Sequence, residues 1–158
     1  MGVDEIRSLT WDDVSGMSFY EREQIGRTIF TSITPFPHNF TQGQFDSYDA
    51  SLTAGTITAN AEIKFRYILR EKWDAKGYWL EKTKYDALME AYRQTGSIPL
   101  FYTFLRDGVG YRWDLRKINP VWQMEFATDT TADGQYGKKK VMKEVCHPFP
   151  NQAKEIRW

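Results

Sequence analysis

The sequence predicts one α/β domain in which a central mixed sheet is flanked by helices, and three observations lead to this prediction. The spacing of apolar residues is helical before position 35, alternates from Phe45 to Ile68, and is helical again near position 85 before the apolar run Leu100–Leu105. A strand, a helix and a second strand in this order form a crossover with parallel strands. A chain of 158 residues can bury one sizeable core but rarely two.

The composition is that of a folded protein, with 16% aromatic and 27% charged residues. Basic and acidic residues number 21 each, so the net charge does not attract nucleic acid and any DNA binding needs a local patch. The single cysteine, Cys146, excludes an internal disulfide; it fits a reducing compartment or, preferably, a small buried apolar residue. One cysteine and two histidines exclude a Cys/His cluster for structural zinc.

Residues 1 to 16 are polar and acidic, and we expect them to form a loosely docked N-terminal arm. They have neither the apolar region of a secretory signal nor the length of a membrane span. The sequence therefore predicts a cytoplasmic protein without a membrane partner.

The first helix is predicted from about Phe19 to Ser32. Ser18 and Glu21 have the spacing of a capping box, and apolar residues follow at helical intervals until Pro35. The segment from Pro35 to Gly43 is either a short strand or a loop.

A β-hairpin is predicted from Phe45 to Ile68, with Gly55 and Thr56 as its two-residue turn. In that register paired positions sum to 111, which places Asp49 opposite Glu62. Strand alternation separates the side chains into an apolar face and a polar face. The apolar face comprises Tyr48, Ala50, Leu52, Ala61, Ile63 and Phe65; the polar face comprises Asp49, Ser51, Thr53, Glu62, Lys64 and Arg66.

The predicted core spans residues 18 to 115. After a linker at residues 72–77, a second helix is expected from about Trp79 to Arg93, ended by Gly96 and its neighbours. The apolar run Leu100–Leu105 is a strand, and Gly110–Leu115 follows a turn at Asp107 and Gly108 as its antiparallel partner.

Residues 119–158 are predicted to form a C-terminal extension, consisting of an edge strand or hairpin plus a docked tail. Within it, residues 138–145 are a candidate strand. Lys138, Lys139 and Lys140 fit a charged edge strand that resists aggregation better than they fit a phosphate-binding patch.

The polar face of the hairpin carries the chemistry that this sequence suggests. Asp49 and Glu62 repel each other across the sheet, and a bound cation removes that repulsion. Mg²⁺ and similar hard ions prefer oxygen ligands, which two carboxylates and a strand carbonyl supply. Lys64, two residues along the same face, can orient or help to activate the water that attacks a phosphate.

An Asp, a turn, and then Glu62-Ile63-Lys64 followed by Arg66 resemble the D…ExK signature of the PD-(D/E)XK nucleases. The order of elements over about residues 18 to 115 is similar to the restriction-endonuclease-like α-β-β-β-α-β core, if the first strand lies near 36–42. The resemblance implies that Asp49, Glu62 and the carbonyl of Ile63 hold Mg²⁺ or Mn²⁺. It also implies that Lys64 serves the attacking water and that the product is a cleaved phosphodiester.

Two positions differ from the family pattern or leave an alternative. Tyr48 precedes Asp49 where the name of the motif has Pro. Asp46 is an alternative first ligand; in the predicted register it points to the apolar face, and a bulge would reverse that choice.

The resemblance adds helical residues to the candidate site. Glu81 and Tyr85 have the spacing of a Gln-x-x-x-Tyr motif found in some branches of the family, with Glu in place of Gln, and Lys84 lies beside them. Glu21 stands on the first helix, where family members often place a carboxylate. The capping box explains Glu21 without chemistry, and that interpretation is preferred.

The function predicted from these residues is that of a divalent-metal-dependent DNA nuclease in recombination, repair, restriction or phage DNA processing. Arg66, Lys82 and Lys84 are the candidate DNA contacts. The alternative is a non-catalytic nucleic-acid-binding or protein-interaction domain on the same scaffold, in which Lys64 neutralises Asp49 and Glu62 on a solvated strand face. The sequence leaves a homodimer or a larger assembly open.

Overall fold

The computed structural model describes residues 1–42, 48–129 and 139–158, and for residues 127–129 and 139–140 it describes the backbone only. The helices in these ranges are α1 (Val3–Arg7), α2 (Trp11–Ser15), α3 (Phe19–Ile33), α4 (Arg70–Trp73) and α5 (Lys82–Thr95). The strands are β1 (His38–Phe40), β2 (Ala50–Ala54), β3 (Ile57–Arg66), β4 (Leu80–Glu81), β5 (Ile98–Leu105), β6 (Val109–Asp114), β7 (Gln123–Asp129), β8 (Lys139–Cys146) and β9 (Lys154–Arg157).

The main sheet has six strands in the order β1-β2-β3-β5-β6-β9. The central pair, β3 and β5, is parallel, while the other pairs are antiparallel. Helix α3 packs against β3, and α5, which connects β3 to β5, packs against β5. The two helices belong to separate apolar clusters, with Ile29 and Phe30 in the first and Leu88 in the second. The predicted fold class, a mixed sheet flanked by helices, is therefore confirmed.

The hairpin of β2 and β3 has the predicted register. Ala50 pairs with Ala61 and Leu52 pairs with Ala59, and Gly55 in the turn has the positive φ of 64° that glycine adopts without strain. The predicted apolar residues are buried or partly buried: Ala50, Leu52, Ala61, Ile63 and Phe65.

Tyr48 is a correction to the predicted apolar face. It packs against the cluster on the α5 side, whereas Ala50 and Ile63 belong to the cluster on the α3 side. Strand alternation does not extend to Tyr48, because β2 begins only at Ala50.

Helix α3 begins with the predicted capping box. Ser18 Oγ accepts a hydrogen bond from the Glu21 amide, and the Glu21 carboxylate accepts one from the Ser18 amide at 2.7 Å. A Cβ added at Gly26 would lie 3.2 Å from Ile63 Cγ2, so glycine permits the close approach of α3 to β3. The short first strand is present as β1, inside the segment where a strand or a loop was expected.

Residues 1 to 16 are not a loose arm. They form α1 and α2; Thr10 and Asp13 make a capping box, and Ile6 and Val14 are buried. The Tyr67 hydroxyl donates to the Leu9 carbonyl at 2.8 Å, which ties this segment to the end of β3. The acidic residues that suggested a solvated arm lie in the first turns of these helices, where the helix dipole favours negative charge.

Two boundaries also differ from the prediction. The second helix begins at Lys82 and not near Trp79, because Leu80 and Glu81 pair with Cys146 and Val145 of β8. The predicted linker contains the end of α4, which Tyr78 and Tyr111 hold in place by donating hydrogen bonds to Asp74. Helix α5 ends as predicted at Gly96, which has a left-handed conformation with φ of 76°.

The C-terminal extension contains the predicted hairpin and a docked tail. Strands β4, β8 and β7 form a second sheet in this order, and β9 joins the main sheet beside β6. Strand β8 therefore lies between two partners and is not an edge strand along its whole length, while Lys138 lies outside the described residues. Cys146 is buried, in agreement with the preferred interpretation. None of the described helices is long and apolar enough to cross a membrane.

Candidate active site

Asp49 lies immediately before β2, where the hairpin ladder ends. Its amide donates to the Ala61 carbonyl at 2.9 Å, and its Oδ2 accepts a hydrogen bond of 2.7 Å from the Ile63 amide. The N–H and C=O of one strand residue point to the same side, so the Ile63 carbonyl also faces the Asp49 side of β3. Asp49 and the backbone of Ile63 are thus adjacent, and the charge of Asp49 acts on the neighbouring Glu62 carboxylate.

Glu62 lies in the middle of β3 and is 1% exposed. Its Oε1 is 3.0 Å from Lys64 Nζ, and its Oε2 is buried without a hydrogen-bond partner among the described residues. The solvated-face alternative is therefore wrong for Glu62. The reason is the crossover, which places β5 beside β3 and packs α5 over this face.

The protonation of Glu62 and Lys64 reflects this burial. Loss of hydration raises the pKa of Glu62; Lys64 opposes the rise and Asp49 adds to it. Loss of hydration is the largest single influence and acts to lower the pKa of Lys64, but the charges of Glu62 and Asp49 and the hydrogen bond to Glu62 together outweigh it, so the pKa of Lys64 is raised. Lys64 is thus held as an ammonium ion, a donor of charge and hydrogen bonds.

Lys84 and Glu81 come to this centre from α5 and β4. Lys84 Nζ is 3.9 Å from Glu62 Oε2, and Glu81 accepts a hydrogen bond of 2.9 Å from Lys143 of β8. Burial opposes ionisation of Glu81, but the hydrogen bond and charge of Lys143 outweigh it and lower the pKa of Glu81. Lys64 and Lys84 act in the same direction, so Glu81 is an anion at the border of a cationic cluster.

The remaining predicted residues stand apart from the carboxylates or have other contacts. Glu21 is exposed and occupied by the capping box. Lys82 pairs with Asp86 at 2.7 Å and lies over the ring of Trp122. Arg66 is partly buried one strand repeat beyond Lys64, and its charge acts on the Lys64 ammonium. Asp46, the alternative ligand, lies outside the described residues.

Sequence reasoning missed three charged residues near the site. Arg27 of α3 contacts Glu23 at 2.7 Å and lies 3.9 Å from Asp49 Oδ1. Lys143 reaches Glu81 from a strand 62 residues later in the chain. The i,i+4 spacing of Glu23 and Arg27 is typical of a helical ion pair, but no local signal indicates that α3 turns this pair toward Asp49.

The residues present fit a hard divalent cation. They offer carboxylate and carbonyl oxygens. Glu62 Oε2 is a buried acceptor to which no described residue donates a hydrogen bond, and this is costly unless a cation or another donor satisfies it. Among residues 1–42, 48–129 and 139–158 there is no group of three or more His, Cys, Asp or Glu side chains able to hold a metal. A cation here would therefore depend on two carboxylates, a backbone carbonyl and further oxygens from water or substrate.

Comparison with known proteins gives a likeness in three dimensions only. No protein-family model and no curated protein matches the sequence. The backbone is similar to that of Hjc, a Holliday junction resolvase from the archaeal hyperthermophile Archaeoglobus fulgidus, with a TM-score of 0.54 and 13% sequence identity. The match covers 86% of this chain and 92% of that chain. The chain has a restriction-endonuclease-like fold.

At this identity the likeness extends to the fold and not to individual residues. In the restriction-endonuclease-like fold of this chain, Asp49, Glu62 and Lys64 lie on the hairpin and the central strand. The short D…ExK motif and the backbone likeness are separate observations, because the first depends on a few side chains and the second on the path of the chain.

Proposed function

We propose that this protein is a divalent-metal-dependent nuclease that hydrolyses phosphodiester bonds in DNA, with its active site at Asp49, Glu62 and Lys64. The observation that carries the proposal is the buried Glu62 carboxylate beside Asp49: one of its oxygens lies on Lys64, and the other has no hydrogen-bond partner in the part of the chain that the structure describes. A buried carboxylate of this kind is costly for stability alone and useful for holding a cation.

Asp49, Glu62 and the Ile63 carbonyl would hold Mg²⁺ or Mn²⁺. Such an ion supplies Lewis-acid polarisation of the phosphodiester and acidifies water at the site. Asp49 is kept in place by the Ile63 amide, so the position of its carboxylate does not depend on the ion.

Lys64 has the electrostatic role in this proposal. Its ammonium is fixed 3.0 Å from Glu62 Oε1 and remains protonated, so it can donate to the attacking water or to the negative charge that develops on the phosphate. It does not act as a proton acceptor. Lys84, 26% exposed and close to Glu62, is suited to contact an adjacent DNA phosphate.

Branched DNA is the substrate we favour, in recombination or a related process. The net charge of zero provides no general attraction for duplex DNA, so binding must depend on the local cluster of lysines and on DNA shape. The structural neighbour is a Holliday junction resolvase, which supports a branched substrate for a chain with this fold.

Metal-dependent thermal stability tests the proposed site. A ligand that binds only the folded state raises the melting temperature, and at about a hundredfold excess over its Kd it adds about 2.7 kcal/mol. We expect Mn²⁺ or Mg²⁺ to raise Tm by several degrees for the wild type but not for Glu62→Gln. Glu90→Gln, an exposed control on α5, should respond like the wild type. A response of Glu62→Gln equal to that of the wild type would contradict the site, and no response in either would favour a non-catalytic domain.

A further inference from the structure

Arg27 lies between two carboxylates at the edge of the proposed metal site. Its Nη2 is 2.7 Å from Glu23 Oε1 and 3.9 Å from Asp49 Oδ1, the oxygen that the Ile63 amide does not use. The first distance is a hydrogen-bonded ion pair, and the second is an electrostatic contact without a hydrogen bond.

The guanidinium of Arg27 is held in this position from more than one side. It stacks over the ring of Phe40 at 5.0 Å, its side chain is only 13% exposed, and Glu23 is one turn earlier on the same helix. Its Nε is buried without a hydrogen-bond partner among the described residues, which costs stability. The ion pair and the aromatic contact therefore fix this charge beside Asp49.

We propose that Arg27 serves as the resident counter-charge of the metal site and sets its affinity for divalent cations. Without a metal, Arg27 is the cation nearest to Glu23 and Asp49, and the charge of Asp49 acts in turn on Glu62. This inference rests on the proposed function, because it assigns the cation to Asp49 and Glu62.

The contacts of Asp49 determine whether loss of Arg27 strengthens or weakens metal binding. The Ile63 amide already orients the carboxylate, so loss of Arg27 removes a charge and leaves the ligand in place. A fixed positive charge close to a cation site weakens binding of the cation. The neutral variant should therefore bind metal more tightly than the wild type, whereas a residue needed only for structure would weaken binding when lost.

The first experiment measures, in the absence of metal, how much the charge of Arg27 stabilises the protein through Asp49. In EDTA, Arg27→Met, which is neutral and retains an apolar stem against Phe40, should lower Tm by a few degrees. In an Asp49→Asn background the same change should lower Tm by clearly less, because the partner charge has gone. Equal decreases in both backgrounds would overturn the proposal whether or not the protein binds metal.

The second experiment measures Mn²⁺ binding by calorimetry. Arg27→Met should lower the Kd about five- to twentyfold, an estimate from charges several ångströms apart in a partly hydrated site. Arg27→Lys should retain a Kd near that of the wild type. Arg93→Gln, which removes an exposed arginine from an Arg–Glu pair on α5, should also leave the Kd unchanged.

Two further outcomes separate the inference from the proposed function. A wild type that binds Mn²⁺ together with an unchanged or higher Kd in Arg27→Met would overturn the inference alone. A wild type that binds no Mn²⁺ would overturn the proposed function and the affinity role together.

If Arg27→Met does not fold, Glu23→Gln replaces it as the test variant. Without the Glu23 charge, Arg27 is free to pair with Asp49, so the Kd for Mn²⁺ should rise. An unchanged Kd in this variant would overturn the inference.

Discussion

The amide of Ile63 donates a 2.7 Å hydrogen bond to Oδ2 of Asp49, across the hairpin and beyond the last ladder pair of β2 and β3. One oxygen of Asp49 thereby has a structural role, while the other faces the charges around the site. Asp49 is fixed by backbone geometry, in contrast to an exposed carboxylate on a flexible side chain.

Asp49→Asn separates these two roles. The asparagine oxygen can still accept the Ile63 hydrogen bond, so the free energy of unfolding without metal should change by no more than about 1 kcal/mol. The variant should lose most of the metal-induced rise in Tm, because a neutral amide is a poor replacement for a carboxylate ligand. Denaturant unfolding with and without Mn²⁺ measures both quantities. A full metal response in Asp49→Asn would show that the cation binds elsewhere.

The register of β2 and β3 could be predicted because a two-residue turn at Gly55 fixes which residues pair between the two strands. The predicted pairing of Asp49 with Glu62 is not part of the ladder, which ends at Ala50 and Ala61, because the Asp49 amide donates to the Ala61 carbonyl. The capping box at Ser18, the left-handed Gly96 and the parallel crossover were predictable for the same reason, since each depends on a few neighbouring residues or on chain handedness.

A substitution at Glu21 tests whether this residue only caps helix α3 or also takes part in catalysis. Its carboxylate accepts from the Ser18 amide, a role that Gln also fills, so Glu21→Gln should retain stability, metal response and cleavage. Ser18→Ala removes the cap and should cost about 1 kcal/mol with no effect on metal affinity. Loss of cleavage in a stably folded Glu21→Gln variant would return Glu21 to the catalytic centre.

Asp74 joins α4 to the sheet, and this network predicts a pH dependence. Tyr78 and Tyr111 donate to its two oxygens at 2.6 and 3.0 Å, and burial followed by the Asp74 hydrogen bond raises the pKa of Tyr111 to about 12. In the unfolded chain the Tyr111 hydroxyl loses its proton near pH 10, and in the folded protein it does so at a higher pH, near 12. The stability that Tyr111 contributes is thus complete below pH 10 and declines as the pH rises toward 12.

Tyr111→Phe should therefore be less stable than the wild type by about 1.5–3 kcal/mol at pH 7, the usual value of a hydrogen bond to a charged group. The difference should narrow between pH 10 and pH 12, as measured by urea unfolding across that range. A constant difference across the range would show that the hydroxyl does not titrate differently in the folded state.

The parts of the site that the sequence did not reveal depend on contacts between distant segments. Lys143 meets Glu81 because β8 pairs with β4, and that pairing also moved the start of α5 from Trp79 to Lys82. Arg27 reaches Asp49 because α3 packs on β3. The apolar periodicity of α3 predicts which helix face is buried, but not how the helix is rotated or how far along the strand it lies. The burial of Glu62 likewise requires α5 and β5, so the hairpin alone could not predict it.

The central claim is that Lys64 acts on the phosphodiester or its attacking water. It is tested most directly by single-turnover cleavage of branched and linear DNA in Mn²⁺ by wild type, Asp49→Asn and Lys64→Ala, with calorimetry of metal binding to each protein. We predict that wild type cuts, that Asp49→Asn neither binds metal nor cuts, and that Lys64→Ala binds metal but cuts about 10²- to 10³-fold more slowly. A wild type that cuts neither DNA, or a Lys64→Ala variant that cuts as fast as wild type, would contradict the mechanism.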